Sequence, residues 1–325
     1  METTSQKILN YIAKNHRVTG KELAEYLHNI SSRAVRKQLK NLIEKNKLQK
    51  IGEPPKVWYL LANKSKTPAI FFVKKNLRTI IDKRYYFISN AGEAQIGWEG
   101  FVSWCRKTKQ DPIKTSKEYI DILKKYDRFR KNNLINGMVK MKNTFKKVFL
   151  DKIFYLDFYS IERFGKTKLG QKLLYSKQSQ NKELINELIV EIRPQILKVI
   201  GKYSINGVLF IPPSVKREIQ FMKELEKQLH LPIKSLNVGK IRTPIIIPQK
   251  TLSKLEDRIE NAKQTIIVQD NNSYKNILLV DDAVGSGATI NETAKQIKQK
   301  NLCTGQIIGL TITGSFKGFD VISEI

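Results

Sequence analysis

Two adjacent carboxylates followed by a short glycine-rich run are the residues of this chain that point most directly to chemistry. They lie in the stretch Asn276-Ile277-Leu278-Leu279-Val280-Asp281-Asp282-Ala283-Val284-Gly285-Ser286-Gly287-Ala288-Thr289-Ile290. The apolar run Ile277 to Val280 has the pattern of a strand buried in a parallel sheet, with Asp281 and Asp282 at its carboxyl end. Gly285, Ser286, Gly287, Ala288 and Thr289 then form a turn that should lead into a helix from about Thr289 to Lys300. Backbone N–H groups in such a turn, together with the amino end of the helix, make an anion site. The Ser286 and Thr289 hydroxyls can add hydrogen bonds. Carboxylates repel phosphate but accept hydrogen bonds from two vicinal hydroxyls. The combination asks for one ligand that carries both a phosphate and a sugar diol. In an open α/β sheet, the crevice beyond the strand ends is where such a ligand binds.

This stretch resembles the signature of type I phosphoribosyltransferases that binds 5-phosphoribosyl 1-pyrophosphate (PRPP). The resemblance implies that Asp281 and Asp282 bind the ribose 2′ and 3′ hydroxyls. It also implies that Gly285, Ser286, Gly287, Ala288 and Thr289 cradle the 5′-phosphate. Gly285 stands where many members carry a hydroxyl residue. Acidic pairs also end the apolar strands of receiver domains and Walker B segments, but neither accounts for the Gly-Ser-Gly-Ala-Thr that follows. Upstream, Val208 to Ile211 reads as a strand leading to the loop Pro212-Pro213-Ser214-Val215-Lys216-Arg217. Gln249, Leu252, Arg258 and Asn261 recur as Gln-x-x-Leu-x₅-Arg-x-x-Asn. With Lys177 and a helix expected over Asn181 to Ile192, this spacing resembles the ComF family of phosphoribosyltransferase-like proteins over about residues 150 to 325. That family is associated with DNA uptake and handling. Many of its members begin with a four-cysteine zinc module, which this chain lacks.

The type I resemblance further implies a Mg²⁺ ion that travels with PRPP and is held mainly by the ligand. A departing pyrophosphate would need cations. The candidates are Lys216, Arg217, Arg242 and Arg258, with Lys240 on the same stretch. A solvated or structural role accounts for each of these side chains at least as well. Phe316-Lys317-Gly318-Phe319 is a late loop that would either cover the site or pack.

The amino-terminal residues have a different organisation. Ser5 to Lys14 and Gly20 to Leu27 read as helices, the second begun by a Thr19-x-x-Glu22 capping box. A third helix runs from Ser31 or Ser32 to about Lys45. Val35, Leu39, Leu42 and Ile43 lie on one side of it, and Arg33, Arg36, Lys37 and Lys40 on the other. A hairpin follows, Leu48 to Ile51 and Lys56 to Leu60. This pattern resembles a winged helix-turn-helix domain, in which the third helix enters the major groove and the wing touches the backbone. The resemblance implies that Ser31, Ser32, Arg33, Arg36, Lys37 and Lys40 face DNA, with Lys50 and Lys56 on the wing. Winged helices also serve as protein–protein modules, and the basic face is what favours DNA here. Paired winged helices read paired half-sites, so a homodimer fits this reading.

The middle of the chain is basic and mainly helical, without a catalytic motif. Ala69 to Val73 is an apolar run, Trp98 to Trp104 a helix face, and Tyr119 to Asn132 and Asn136 to about Leu150 read as basic amphipathic helices. Tyr126, Arg128, Phe129 and Arg130 interleave rings with cations, which suits either a core or contact with a nucleic-acid strand.

The charge fits a polyanionic partner. The chain's net charge is +29 over 325 residues, and residues 62–150 alone hold 21 basic and 7 acidic side chains. Lysine bias alone is the competing explanation. Hydrophobic residues at 41% and charged residues at 27% exclude a mostly disordered chain. Cys105 and Cys303, far apart and with three histidines, exclude a Cys₄ or Cys₂His₂ zinc site, argue against a disulfide framework and point to a reducing, cytoplasmic compartment. No apolar signal core opens the chain, and no apolar run approaches the roughly 20 residues that span a bilayer.

The expected architecture is α/β: a type I phosphoribosyltransferase-like parallel sheet flanked by helices, preceded by a winged-helix domain and a helical middle segment. The expected divisions are 1–62, 63–150 and 151–325. The expected function is a DNA-binding protein that responds to PRPP or acts in DNA uptake or processing. An active phosphoribosyltransferase and a scaffold that binds DNA ends are the alternatives.

Overall fold

The computed structural model describes residues 2–52, 54–62, 73–215, 217–241, 245 and 247–315. Contacts divide the chain into two compact units. One comprises Met1–Phe72 with Asn90–Gly92, and the other Val73–Ser89 with Glu93–Ile325.

The first unit has three helices, Thr4–Asn15, Gly20–Tyr26 and Ser32–Glu44. Each start is set by a side-chain cap. Thr3 and Ser31 accept backbone N–H bonds, and Thr19 and Glu22 make the reciprocal capping box. A three-stranded antiparallel sheet places Trp58–Leu61 between Val18–Thr19 and Leu48–Ile51. Ile8, Ile12, Leu23, Val35, Leu39 and Leu42, spaced at helical intervals, close one core with Val18 and Leu48.

The second unit is built on a seven-stranded sheet. Its order is Lys234–Ser235, Gly207–Phe210, Ile277–Val284, Ile307–Gly314, Lys152–Phe158, Leu134–Asn136 and Arg130–Lys131. The first five strands are parallel, and the last two form an antiparallel hairpin on the edge. The central strands are buried on both faces, which explains their unbroken apolar runs. Leu278, Val280, Ile308, Leu310 and Ile312 face a core filled from Lys168–Ser179, Lys182–Lys202 and Phe221–Leu229. Alternate residues face the other way, where Gly309 lets Ile290 of the helix Ala288–Gln299 come close.

Several elements differ from the sequence reading. The helix expected over 119–132 is Pro112–Asp127, because Asp111 caps it and Pro112 supplies a first-turn residue that needs no N–H partner. Residues 130–136 form the edge hairpin instead. The helix expected to reach Leu150 ends at Thr144. Beyond it, Asn291 holds the extended backbone, accepting from Phe149 N at 2.8 Å and donating to Lys147 O at 3.1 Å. Asn291→Ala would leave both groups without that partner. It is expected to lower stability by about 2 kcal/mol, read as a lower melting temperature. The helix expected to end at Ile192 continues through Pro194 to Lys202, because Ile196, Val199 and Ile200 extend its buried stripe.

The interleaved aromatics of residues 85–126 are core. Phe101 is fully buried, with Tyr85 at 5.1 Å, Tyr119 at 5.5 Å and Trp98 at 5.8 Å between ring centroids. Tyr126 packs edge-on to Phe158 at 5.0 Å. Arg130 pairs with Asp157 at 2.5 Å and Asp127 at 3.5 Å, and Arg84 pairs with Asp127 at 2.5 Å. These cations therefore belong to an internal network. Just beyond them, Phe129 is 48% exposed and meets Phe158 edge-on at 6.3 Å between ring centroids. Ala69 to Phe72 and Phe316 to Phe319 lie outside the described residues. No helix among the described residues is long and apolar enough to cross a membrane.

Candidate ligand-binding site

The strand Ile277–Val284 lies third in the sheet, between Gly207–Phe210 and Ile307–Gly314. It runs four residues further than its apolar run, so Asp281 and Asp282 are strand residues themselves. Ser286 and Gly287 then turn the chain into the helix Ala288–Gln299. Gly287 sits at φ +86°, a left-handed conformation that glycine adopts without strain. The Ser286 Oγ accepts from Ala288 N at 3.3 Å. No acidic residue occupies the first turn of the helix, so its amino end keeps its positive character.

A cleft of about 240 Å³ opens over this turn. Its walls include the loop from Gly285 to Thr289, both aspartates, the backbone from Ile211 to Ser214, Tyr159 and Lys177. The glycine-rich turn and the carboxylates therefore share one cavity, as their adjacency in sequence suggested.

The electrostatics of the cleft are balanced by lysines. Lys177 Nζ contacts Asp282 Oδ2 at 2.7 Å. Lys240 Nζ donates to Ser214 Oγ at 3.0 Å. Burial holds the Lys240 ammonium below its ordinary pKa, while the field of Asp281 partly offsets this. Asp281 Oδ1 accepts from the Asp282 backbone N–H at 2.8 Å. Burial first, and the charge of Asp282 second, push the Asp281 carboxyl well above the usual carboxylate range; that hydrogen bond, Lys177 and Lys240 oppose the shift. A buried carboxyl shifted by a like charge in a cleft is a frequent mark of a functional site.

The pyrophosphate candidates separate. Arg217 and Arg258 line the cleft, and Lys216 and Arg242 lie outside the described residues. The Arg217 guanidinium donates to Lys177 O. Arg258 is 4% exposed and donates through Nε to Leu252 O at 2.7 Å. Gln249 Nε2 bonds Arg258 O at 3.0 Å and Asn261 Oδ1 at 2.9 Å. The spaced Gln, Leu, Arg and Asn thus fold into one hydrogen-bonded wall. That wall reaches the turn: a Cβ at Gly285 would lie 3.8 Å from the Arg258 guanidinium.

Sequence reasoning missed Tyr159 and the floor of the turn. A Cβ at Gly287 would lie 2.5 Å from Met141 Sδ and 3.5 Å from the Phe145 ring. Both residues come from the basic middle region, and nothing in their local pattern marks them as neighbours of a loop more than 140 residues away.

In the first unit, Ser31, Ser32, Arg33, Arg36, Lys37, Lys40, Lys50 and Lys56 are all exposed, while Val35, Leu39 and Leu42 are buried. Ser31 Oγ is the helix cap, accepting from Ala34 N at 3.3 Å, and Lys40 lies 3.9 Å from Glu44.

The site and fold define an α/β protein with a mostly parallel sheet and a cleft at its strand ends. No family model matches the chain, and no curated protein is similar to it.

Proposed function

We propose that this chain is a DNA-binding protein whose α/β unit binds PRPP or a related phosphoribosyl ligand on a ComF-like, type I phosphoribosyltransferase fold, and that the ligand regulates DNA binding. The observation that carries the ligand reading is the shared cleft: two strand-borne aspartates beside a left-handed Gly287 at a helix amino terminus. The turn suits a phosphate, and the carboxylates suit the diol of the same sugar. The DNA reading rests on three helices and a hairpin in winged-helix order, with a basic exposed side on the third helix.

The aspartates do not make a seat for Mg²⁺ by themselves. Asp282 is engaged by Lys177, and no cluster of three or more metal-ligating side chains occurs among the described residues. A Mg²⁺ ion accompanying PRPP would be the ligand's own, neutralising its pyrophosphate.

Arg217, Arg258 and Lys240 around the cleft favour one second reading, an active transferase. The test is a calorimetric titration of the full chain with PRPP, beside a pyrophosphate-release assay across nucleobases. Saturable binding without release supports ligand sensing. Release that disappears in Asp282→Asn identifies a transferase, and absence of binding overturns both.

The DNA face has its own expected result. Arg36→Ala with Lys37→Ala should weaken duplex binding and reduce the slope of log affinity against log salt by about 2, roughly 0.9 for each lost phosphate contact. An unchanged salt slope would place the DNA elsewhere.

A further inference from the structure

Lys177 supplies the observation that goes furthest. It lies in the helix Lys168–Ser179, about a hundred residues before the acidic pair in the chain, yet its ammonium meets Asp282 at 2.7 Å inside the cleft. Its backbone is held as well, since Arg217 donates to Lys177 O across the cleft wall. The second ammonium, Lys240, is anchored on Ser214 at 3.0 Å within the field of Asp281. One ammonium is therefore paired with a carboxylate, and a second is anchored on a residue of the cleft wall. A divalent ion placed between the aspartates and a ribose diol would have to displace Lys177 from Asp282 or share that oxygen with it. Mg²⁺ loses its waters reluctantly and favours several free oxygens, so it competes poorly for a carboxylate already in an ion pair. A carboxylate has about four lone-pair sites, so Asp282 can keep Lys177 on Oδ2 and accept a hydroxyl on Oδ1.

We infer that Lys177 is the resident cation of the diol subsite, fixing the Asp282 carboxylate so that the phosphoribosyl ligand is held without a divalent metal. This rests on the phosphoribosyl reading and deepens it, because it defines a ligand that binds as the free anion. Lys177 is a positioning residue: it sets the charge and orientation of the carboxylate that meets the sugar.

The experiment titrates the full chain with PRPP by calorimetry, once in excess Mg²⁺ and once in EDTA. Wild type, Lys177→Met and Lys177→Arg are compared, with circular dichroism to verify folding. Wild-type affinity is expected to change by less than about threefold between the two buffers. Lys177→Met is expected to lose about tenfold or more in EDTA, the worth of one charged hydrogen bond, and to regain most of it with Mg²⁺. Lys177→Arg keeps the charge and should stay closer to wild type in EDTA than the Met variant does. Wild-type binding that vanishes in EDTA overturns the inference while leaving the phosphoribosyl reading intact. A folded Lys177→Met as indifferent to Mg²⁺ as wild type also overturns it. No binding of PRPP in either buffer overturns the phosphoribosyl reading and the inference together.

Discussion

Gly287→Val is expected to abolish PRPP binding and to lower the melting temperature by about 6–12 °C, corresponding to about 3 kcal/mol in a unit of this size. Two costs combine. The backbone at φ +86° lies in the left-handed region, where a β-branched residue is strained by about 1–2 kcal/mol. The new Cβ would also stand 2.5 Å from the sulfur of Met141 and 3.0 Å from its methyl carbon, and Met141 is fully buried. Forcing that neighbour aside costs about 1–3 kcal/mol more. Any rearrangement moves the backbone amide groups of the proposed phosphate site. Gly285→Ala is the contrast, because its Cβ meets only the Arg258 guanidinium at 3.8 Å, an ordinary contact. That variant should fold like wild type. A Gly287→Val protein with wild-type melting and affinity would refute the role given to the turn.

The second large effect has opposite signs for stability and binding. Asp281→Asn should eliminate measurable PRPP binding, because with its oxygen on the Asp282 N–H the amide presents an NH₂ donor where the second carboxyl oxygen would accept a ribose hydroxyl. The same change should stabilise the ligand-free protein by about 1 kcal/mol near neutral pH, or about 2–4 °C. The reason is the raised pKa of the Asp281 carboxyl, caused by burial and by the charge of Asp282. A group whose pKa is raised in the folded state favours folding while it is protonated. That contribution is complete below the unfolded value near 3.8 and is lost as pH rises through the higher folded value. The advantage of Asn should therefore be smallest in acid and grow as pH rises from about 3.8 through the higher folded value. Asn can still accept the Asp282 N–H bond, so the local backbone is kept. Melting curves across pH, paired with a PRPP titration, read both effects. A variant less stable than wild type at neutral pH would contradict the electrostatic account.

Much of the molecule was legible because local rules decided it. Thr19 with Glu22, the alternation of Val35, Leu39 and Leu42 with cations, and the apolar run before Asp281 each encode an element within a few residues. The turn at Gly287 was legible for the same reason. Contacts made across the sheet were not. Lys177 reaching Asp282, Met141 beneath Gly287 and Asn291 clamping Lys147 and Phe149 are long-range pairs with no periodic signature. The basic middle region stayed open between two readings for a physical reason. Lysine and arginine stems and interleaved rings look alike on a nucleic-acid surface and around a core, and only the packing of Phe101 and the pairing of Arg130 show which it is. Strand Leu134–Asn136 was hidden because three residues, one strand in from the sheet edge, carry too little pattern to oppose the helical spacing around them.

The most direct test of the account joins its two halves. Duplex DNA affinity of the full chain should be measured at one fixed salt concentration, with and without PRPP, for wild type and for Asp281→Asn with Asp282→Asn. Linkage requires that a regulatory ligand change DNA affinity, here by about fivefold or more, and that the double variant lose this response while still binding DNA. DNA binding that is tight yet indifferent to PRPP, or absent altogether, would contradict the proposal.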